Sequence, residues 1–293
     1  MEQVKFKEAG VLMLVKDIMT KEVICCEVPG TRDDLLQLIR DHKHLGYPCV
    51  KAGTKELVGI ITRTDLIEKP DETQIALLMT RDPLTLPPEA DVKEAINLIV
   101  EKRIRRIPIT ANGELLALLT INDVVGRVIA ASGMETEIGG IMTKKVTAVW
   151  QETPLNVLSS ILRLARVAAV PVLDEHGKMI GMVGLDDILR LAEEIASAST
   201  STGTATGEFH TGSWDAMDVI KIEQKILKLP IAPVKDIMTS GVVSAFESSS
   251  VAQVAQKMRR HDFSQLPVTN AHGQLIGMIY DRQVIEAFAH TKH

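Results

Sequence analysis

The sequence predicts the α/β (α+β) class, built as four tandem β-α-β-β-α units, and three observations predict it. An Ile-Met-Thr-like triplet recurs at Ile18-Met19-Thr20, Leu78-Met79-Thr80, Ile141-Met142-Thr143 and Ile237-Met238-Thr239. A proline follows each methionine by 29 residues, at Pro48, Pro108, Pro171 and Pro267. Each proline then leads through a turn and an apolar run to a helix start. Those starts are Thr62-Arg63-Thr64-Asp65, Thr120-Ile121-Asn122-Asp123, Gly184-Leu185-Asp186-Asp187 and Tyr280-Asp281-Arg282-Gln283. Self-similarity held in register along a chain marks repeated structural units, here of about 55 residues each.

The clearest copy is Arg105 to Asp123. Ile107–Ile109 and Leu115–Leu119 are apolar runs joined by Asn112-Gly113, the signal of a hairpin. Thr120 and Asp123 stand at the spacing of a capping box, which opens a helix.

Residues 1–14 form a lead-in. Unit 1 spans about 15–68. Val23–Val28 reads as a strand, and Thr31 opens a helix whose Leu35, Leu36, Leu38 and Ile39 share an apolar face. Cys49-Val50 and Leu57–Ile61 are the next strands; Thr62 caps a second helix that Pro70 stops. Unit 2 spans about 75–131, with Val92, Ala95, Ile96, Ile99 and Val100 on the core face of a helix from Val92 to Lys102. Unit 3, about 138–196, predicts helices over Leu155–Ala165 and Asp187–Ala196, and unit 4 spans about 234–290.

An insertion, 197–233, separates units 3 and 4. Ser197–Ser213 is rich in Ser, Thr and Gly and reads as a surface loop too poor in apolar groups to order itself. Asp215–Leu229 then carries Val219, Ile222, Ile226 and Leu229 at helical spacing. That stripe packs on its own module or docks a partner.

Composition narrows the function classes. A 45% hydrophobic fraction supports packed cores, and 3% aromatics make those cores aliphatic. The net charge of −5 argues against a general nucleic-acid binder. No apolar run reaches the ~18 residues of a membrane span, and the N-terminus lacks a secretory signal pattern. Cys25, Cys26 and Cys49 are odd in number and lie in apolar strands, which predicts a reducing cytoplasm without disulfides. His42 and His44 are two residues apart, share no helical face and have no completing ligand set, so no metal is expected. No nucleophile–base pair or phosphate-binding Gly-rich loop appears, so no enzyme is expected.

These motifs resemble the cystathionine β-synthase (CBS) domain family, whose units begin near Ile-Met-Thr and carry Gly-h-h-Thr/Ser-x-x-Asp before the last helix. Gly59-Ile60-Ile61-Thr62 with Asp65 fits in full; Ala117-Leu118-Leu119-Thr120 with Asp123 fits except for alanine at the glycine position. The resemblance implies two modules of paired units, 1–133 and 134–293. It also implies clefts between paired units that bind adenosine-containing ligands. The layout is similar to archaeal four-unit members and to the γ subunit of AMP-activated protein kinase.

The residues themselves allow two readings. Thr62 with Asp65, and Thr120 with Asp123, satisfy helix N-termini. The same geometry offers N–H groups to phosphate and a carboxylate to a ribose diol. Arg105 and Arg106 precede Pro108, and the resemblance implies that such a pair contacts phosphate, as guanidinium forks do. The matching pairs elsewhere are Leu45-Gly46, Ala168-Ala169 and Ser264-Gln265. Ile60 and Leu118 are implied to face an adenine, or pack in the core. Asp187 retains the ribose position without the threonine; Tyr280 and Gln283 depart from the pattern, and Arg282 is positioned to lend charge to a ligand held by Asp187 or to sit at the surface.

The expected function is regulatory. AMP, ADP or ATP would bind between paired units and shift their orientation, and an effector protein would read the shift, with a homodimer left open. Two alternatives stand beside it. One is S-adenosylmethionine or another adenosyl ligand; the other is nucleic acid at the Lys102–Arg106 basic run.

Overall fold

The structure is a computed structural model that describes residues 13–191 and 232–291, apart from 43, 45, 70, 166, 186 and 189. The expectations for Ser197–Ser213 and Asp215–Leu229 therefore lie outside the described residues, as does Leu45.

Unit 1 contains α1 (Val15–Ile18), β1 (Cys26–Val28), α2 (Arg32–His42), β2 (Gly46–Lys51), β3 (Leu57–Thr62) and α3 (Arg63–Glu68). Strand β1 runs parallel to β2, with Cys26 opposite Cys49, and β2 pairs antiparallel with β3, with Pro48 opposite Ile60. The first strand is shorter than predicted. Val23–Cys25 stay outside it; in the register of Cys26 opposite Cys49 the next residue of β2 is Pro48, which has no N–H to give.

Unit 2 repeats the plan with α4 (Ile75–Leu78), β4 (Thr80–Arg81), α5 (Val92–Lys102), β5 (Arg106–Ala111), β6 (Glu114–Thr120) and α6 (Ile121–Asp123). Its last helix continues as a wide π turn, Val124–Val128, and a tight 3-10 turn, Ile129–Ala131. Unit 3 has β7 (Val149–Trp150), α7 (Leu155–Ala165), β8 (Ala169–Leu173) and β9 (Met179–Gly184). Unit 4 has β10 (Thr239–Ser240), β11 (Ala245–Phe246), α8 (Val251–His261), β12 (Gln265–Thr269), β13 (Leu275–Tyr280) and α9 (Asp281–His290).

The Ile-Met-Thr segments are exchanged between neighbouring units. Strand β4, the lead-in of unit 2, pairs with β3 of unit 1, placing Thr80 opposite Ile60. Thr20, the lead-in of unit 1, answers by exchanging two backbone hydrogen bonds of 2.9 Å with Leu118 of β6. The second half repeats this: β10 pairs with β9, and Thr143 exchanges bonds of 2.8 and 2.9 Å with Met278 of β13.

This exchange explains the glycine of Gly-h-h-Thr. A β-carbon at Gly59 would lie 2.5 Å from Met79 Sδ and 2.9 Å from the Thr80 carbonyl oxygen. One at Gly181 would lie 2.7 Å from Met238 Sδ, and one at Gly277 2.9 Å from Met142 Sδ. The two sequence signatures are thus the two sides of one contact, the methionine of one unit seated on the glycine of its mate.

Three aliphatic cores result. Units 1 and 3 each have their own, around Leu35, Tyr47 and Ile61 and around Leu155, Leu158 and Val183. Units 2 and 4 share the third. Ile99, Ile107, Leu119 and Ile129 of unit 2 join Val254, Met258, Ile279 and Ile285 of unit 4 in one buried cluster. Burial of about 1.5–3 kcal/mol per large aliphatic side chain makes that shared cluster the strongest tie across the middle of the chain.

Candidate ligand cleft between the first two units

The last helix of each unit starts where a strand ends, so its first turn faces the neighbouring unit. In unit 1, the Thr62 N–H and Oγ both donate to Asp65 Oδ2, each at 2.7 Å. Asp65 Oδ1 has no partner among the described residues. In unit 2 the Thr120 N–H and Oγ donate to Asp123 Oδ2 at 2.9 and 2.6 Å, and the Asp123 N–H returns a bond of 3.2 Å to Thr120 Oγ. Asp123 goes further. Its Oδ1 accepts from Thr20 Oγ of unit 1 at 3.0 Å and stands 3.5 Å from Arg127.

The two acids therefore differ in what they have left to offer. Asp123 is buried and both oxygens are engaged; it ties the exchanged lead-in to the helix cap. Asp65 keeps an oxygen unpaired on a half-buried side chain.

Arg106 opens β5 and reaches across to unit 1. A β-carbon at Gly46 would lie 2.4 Å from Arg106 Nη1 and 3.1 Å from Thr62 Cγ2. The guanidinium and the helix start at Thr62 thus converge over one small space that glycine keeps open. Gly46 is the counterpart of Arg106 in the self-alignment, so one unit supplies the arginine and its mate the room for it. Burial, and then the nearby charge of Arg105, hold the Arg106 guanidinium below its ordinary pKa, while Tyr47 opposes them. Among the described residues Arg106 has no carboxylate partner. A half-buried cation without a counter-ion is costly and is relieved by an incoming anion.

Ile60 and Leu118 lie on the strand face opposite the buried Ile61 and Leu119, half-exposed beside Thr80 and Thr20 respectively.

The sequence profile of the CBS domain matches residues 15–72, 74–130, 138–194 and 234–290. The chain belongs to the CBS domain family. It is 22% identical over 297 residues to the uncharacterised protein MJ1225 of Methanocaldococcus jannaschii, covering 94% of this chain and 99% of that protein. The crystal structure of MJ1225, proposed there as an archaeal homologue of the AMPK γ subunit, superposes with a TM-score of 0.68 at 21% identity over 94% of this chain and 100% of that one. An uncharacterised conserved protein from Pyrococcus horikoshii superposes with a TM-score of 0.65 at 27% identity, covering 94% and 99% of the two chains.

Within the CBS framework three of the expected site residues have protein partners of their own. Arg105 does not stand at the cleft with Arg106. Successive residues entering a strand point to opposite sides, and Arg105 turns to CBS unit 4, where both terminal nitrogens bond the Asp281 carboxylate. Arg282 has its partner within its own helix. It is held by Glu286 one turn along α9 at 3.0 Å and lines a crevice with Arg103 and Arg105 of unit 2. Asp187 is itself engaged, by the Gly184 N–H at 2.9 Å and Arg190 at 3.0 Å.

The departure at Gln283 also acquires a physical meaning. Gln283 Oε1 accepts from the Tyr280 N–H at 3.0 Å, keeping the cap, and its Nε2 donates to the Ile141 carbonyl at 2.8 Å and Thr143 Oγ at 2.9 Å. Asp123 accepts from the lead-in threonine; Gln283 donates to it. On this side of the seam between units 3 and 4 an amide thereby replaces the carboxylate.

Sequence reasoning missed Gly46, Thr20 and Asp281. Gly46 was legible in the self-alignment as the counterpart of Arg106. The other two depend on which units touch. Among the described residues no three His, Cys, Asp or Glu side chains converge on a metal position, and no helix is long and apolar enough to cross a membrane.

Proposed function

We propose that this CBS chain is a regulatory protein whose cleft between units 1 and 2 binds an adenosine ligand with an anionic tail, such as AMP, ADP or ATP. The observation that carries this reading is Arg106, a half-buried guanidinium without a carboxylate partner among the described residues, over Gly46 beside the helix start at Thr62. The phosphate would meet Arg106 and the N–H groups of α3. The free oxygen of Asp65 would accept from the ribose, and Ile60 and Leu118 would flank the base. Thr120 and Asp123 hold the exchanged lead-in of unit 1, so the ligand would bear on the contact that joins the two units. A change in their relative orientation is then what an effector protein reads.

The exchanged lead-ins support pairing of units 1 with 2 and 3 with 4, hence the modules 1–133 and 134–293. The nucleic-acid reading weakens on the same geometry. Of the basic run Lys102–Arg106, Arg105 is neutralised by Asp281 and Arg106 is half-buried.

Calorimetry on the full chain with AMP, ADP, ATP, adenosine and S-adenosylmethionine tests the reading. Arg106→Ala should remove ~1.5–3 kcal/mol of nucleotide affinity, the range for hydrogen bonds to charged groups, and leave adenosine unchanged. Preference for S-adenosylmethionine over AMP in the native chain would overturn the phosphate assignment.

A further inference from the structure

We propose that residues 215–229 of this chain dock along an exposed apolar stripe on α7. The proposal is independent of the ligand reading. Helix α7 shows Val157 and Leu164 to solvent, 44% and 76% exposed, with the partly buried Ile161 between them. The spacing of four and then three residues puts them on one line, about 10 Å long at 1.5 Å per residue.

Alignment of the four units through their prolines shows that this line is not a property of the fold. Val157 corresponds to Asp34, Glu94 and Gln253, and Leu164 to Asp41, Glu101 and Arg260. All six counterparts are exposed. The architecture puts these positions in water, and units 1, 2 and 4 fill them with charged or amide side chains. Unit 3 fills both with aliphatic ones.

Unit 3 is also the unit followed by the long insertion, and the insertion ends against α7. The Ala232 carbonyl accepts from the Leu155 N–H at 3.1 Å, Pro233 bridges to Pro154, and the Val234 N–H donates to Thr153 at 2.9 Å. The chain therefore arrives at the N-terminus of α7. Leu229 stands three positions before Ala232, a reach of at most about 10 Å. Upstream of that anchor, Val219, Ile222, Ile226 and Leu229 recur at spacings of three, four and three residues. A helix carrying them would run antiparallel to α7, with Leu229 toward Val157 and Ile222 toward Leu164. The apolar stripe and the anchored apolar segment occur in the same unit, and each supplies what the other lacks.

Hydrogen exchange on the full chain, read by mass spectrometry, tests this. The variant Val157→Glu with Leu164→Glu installs what unit 2 carries at these positions, so the fold accommodates it. Amides of residues 219–229 should exchange at least tenfold faster in the variant than in the native chain, and the native protection should not change on tenfold dilution. Equal exchange in the two proteins overturns the proposal. So does native protection that falls on dilution, which would mean that a second copy covers the stripe. Should the glutamates perturb folding, Val157→Gln with Leu164→Arg, the residues of unit 4, must give the same tenfold acceleration.

Discussion

Arg105 and Asp281, 176 residues apart, form a two-pronged ion pair across the seam between CBS units 2 and 4. One prong, Nη1 to Oδ1, measures 3.2 Å. Asp281 is buried at the first turn of α9, whereas Arg105 is 44% exposed. Removing the arginine leaves a buried carboxylate without its ion-pair partner, with the helix dipole in partial compensation. Arg105→Ala should therefore cost about 2–3 kcal/mol, below the ~3–5 kcal/mol of a fully buried pair because the arginine is half in water. Arg105→Ala with Asp281→Leu should recover most of it. Denaturant midpoints of the three proteins check this; equal midpoints for the single variant and the native chain would refute it.

Gly46→Ala probes the cleft without adding or removing a charge. Its β-carbon would meet Arg106 Nη1, the Ile61 carbonyl at 3.0 Å and Thr62 Cγ2. The guanidinium is the movable neighbour, so it should be displaced. Nucleotide affinity should fall about tenfold, while stability drops by about 1–2 kcal/mol from overpacking. Adenosine titrated into the same variant should bind as it does to the native chain.

Asp65 and Asp123 should respond in opposite ways. Asp123→Ala frees the Thr20 hydroxyl and the Thr120 cap together and should destabilise the chain by about 2–4 kcal/mol. Asp65→Ala loses only a half-exposed cap and should cost about 1 kcal/mol. Its larger effect should be on ligand affinity, by ~1.5–3 kcal/mol. Unfolding curves and calorimetry on the same two variants separate the roles; matching losses in both would reject the assignment.

Cys25 gives a pH-dependent observable. Burial, then the neighbouring Cys26, push its thiol up from 9.0 to about 11. The thiolate is the reactive form, so at pH 8 only about one thiol in a thousand is reactive, tenfold more for each unit gained. Alkylation by iodoacetamide should be slow at pH 8 and rise until pH 11. Unfolded chain, with the thiol at its ordinary pKa, should react about a hundredfold faster at pH 8. A rate that levels off near pH 9 in the folded protein would contradict the burial argument.

Much of this was legible in the sequence because it is local. Each capping pair is three residues apart, each hairpin is closed by its own turn, and the four prolines hold one register. Even the swapped seam left a trace, in the glycine that faces three of the four methionines. What the residues alone could not show was allegiance. Asp123 and Asp65 look alike until Thr20 arrives from 103 residues away to occupy one of them. Arg105 and Arg106 look like one phosphate clamp. The alternation of strand side chains separates them, but only the packing of unit 4 against unit 2 says what lies on the Arg105 side.

The crossed lead-ins also bear on how such a chain can change length over time. A unit cut out alone would take with it a strand its neighbour needs and would leave its own sheet with an open edge, the kind of surface that invites aggregation. Gains and losses of sequence are therefore tolerated in twos. A genetic event that removes Met79-Thr80 with unit 2 exposes Gly59 in unit 1, so the smallest piece that can be copied, traded or deleted intact is a pair.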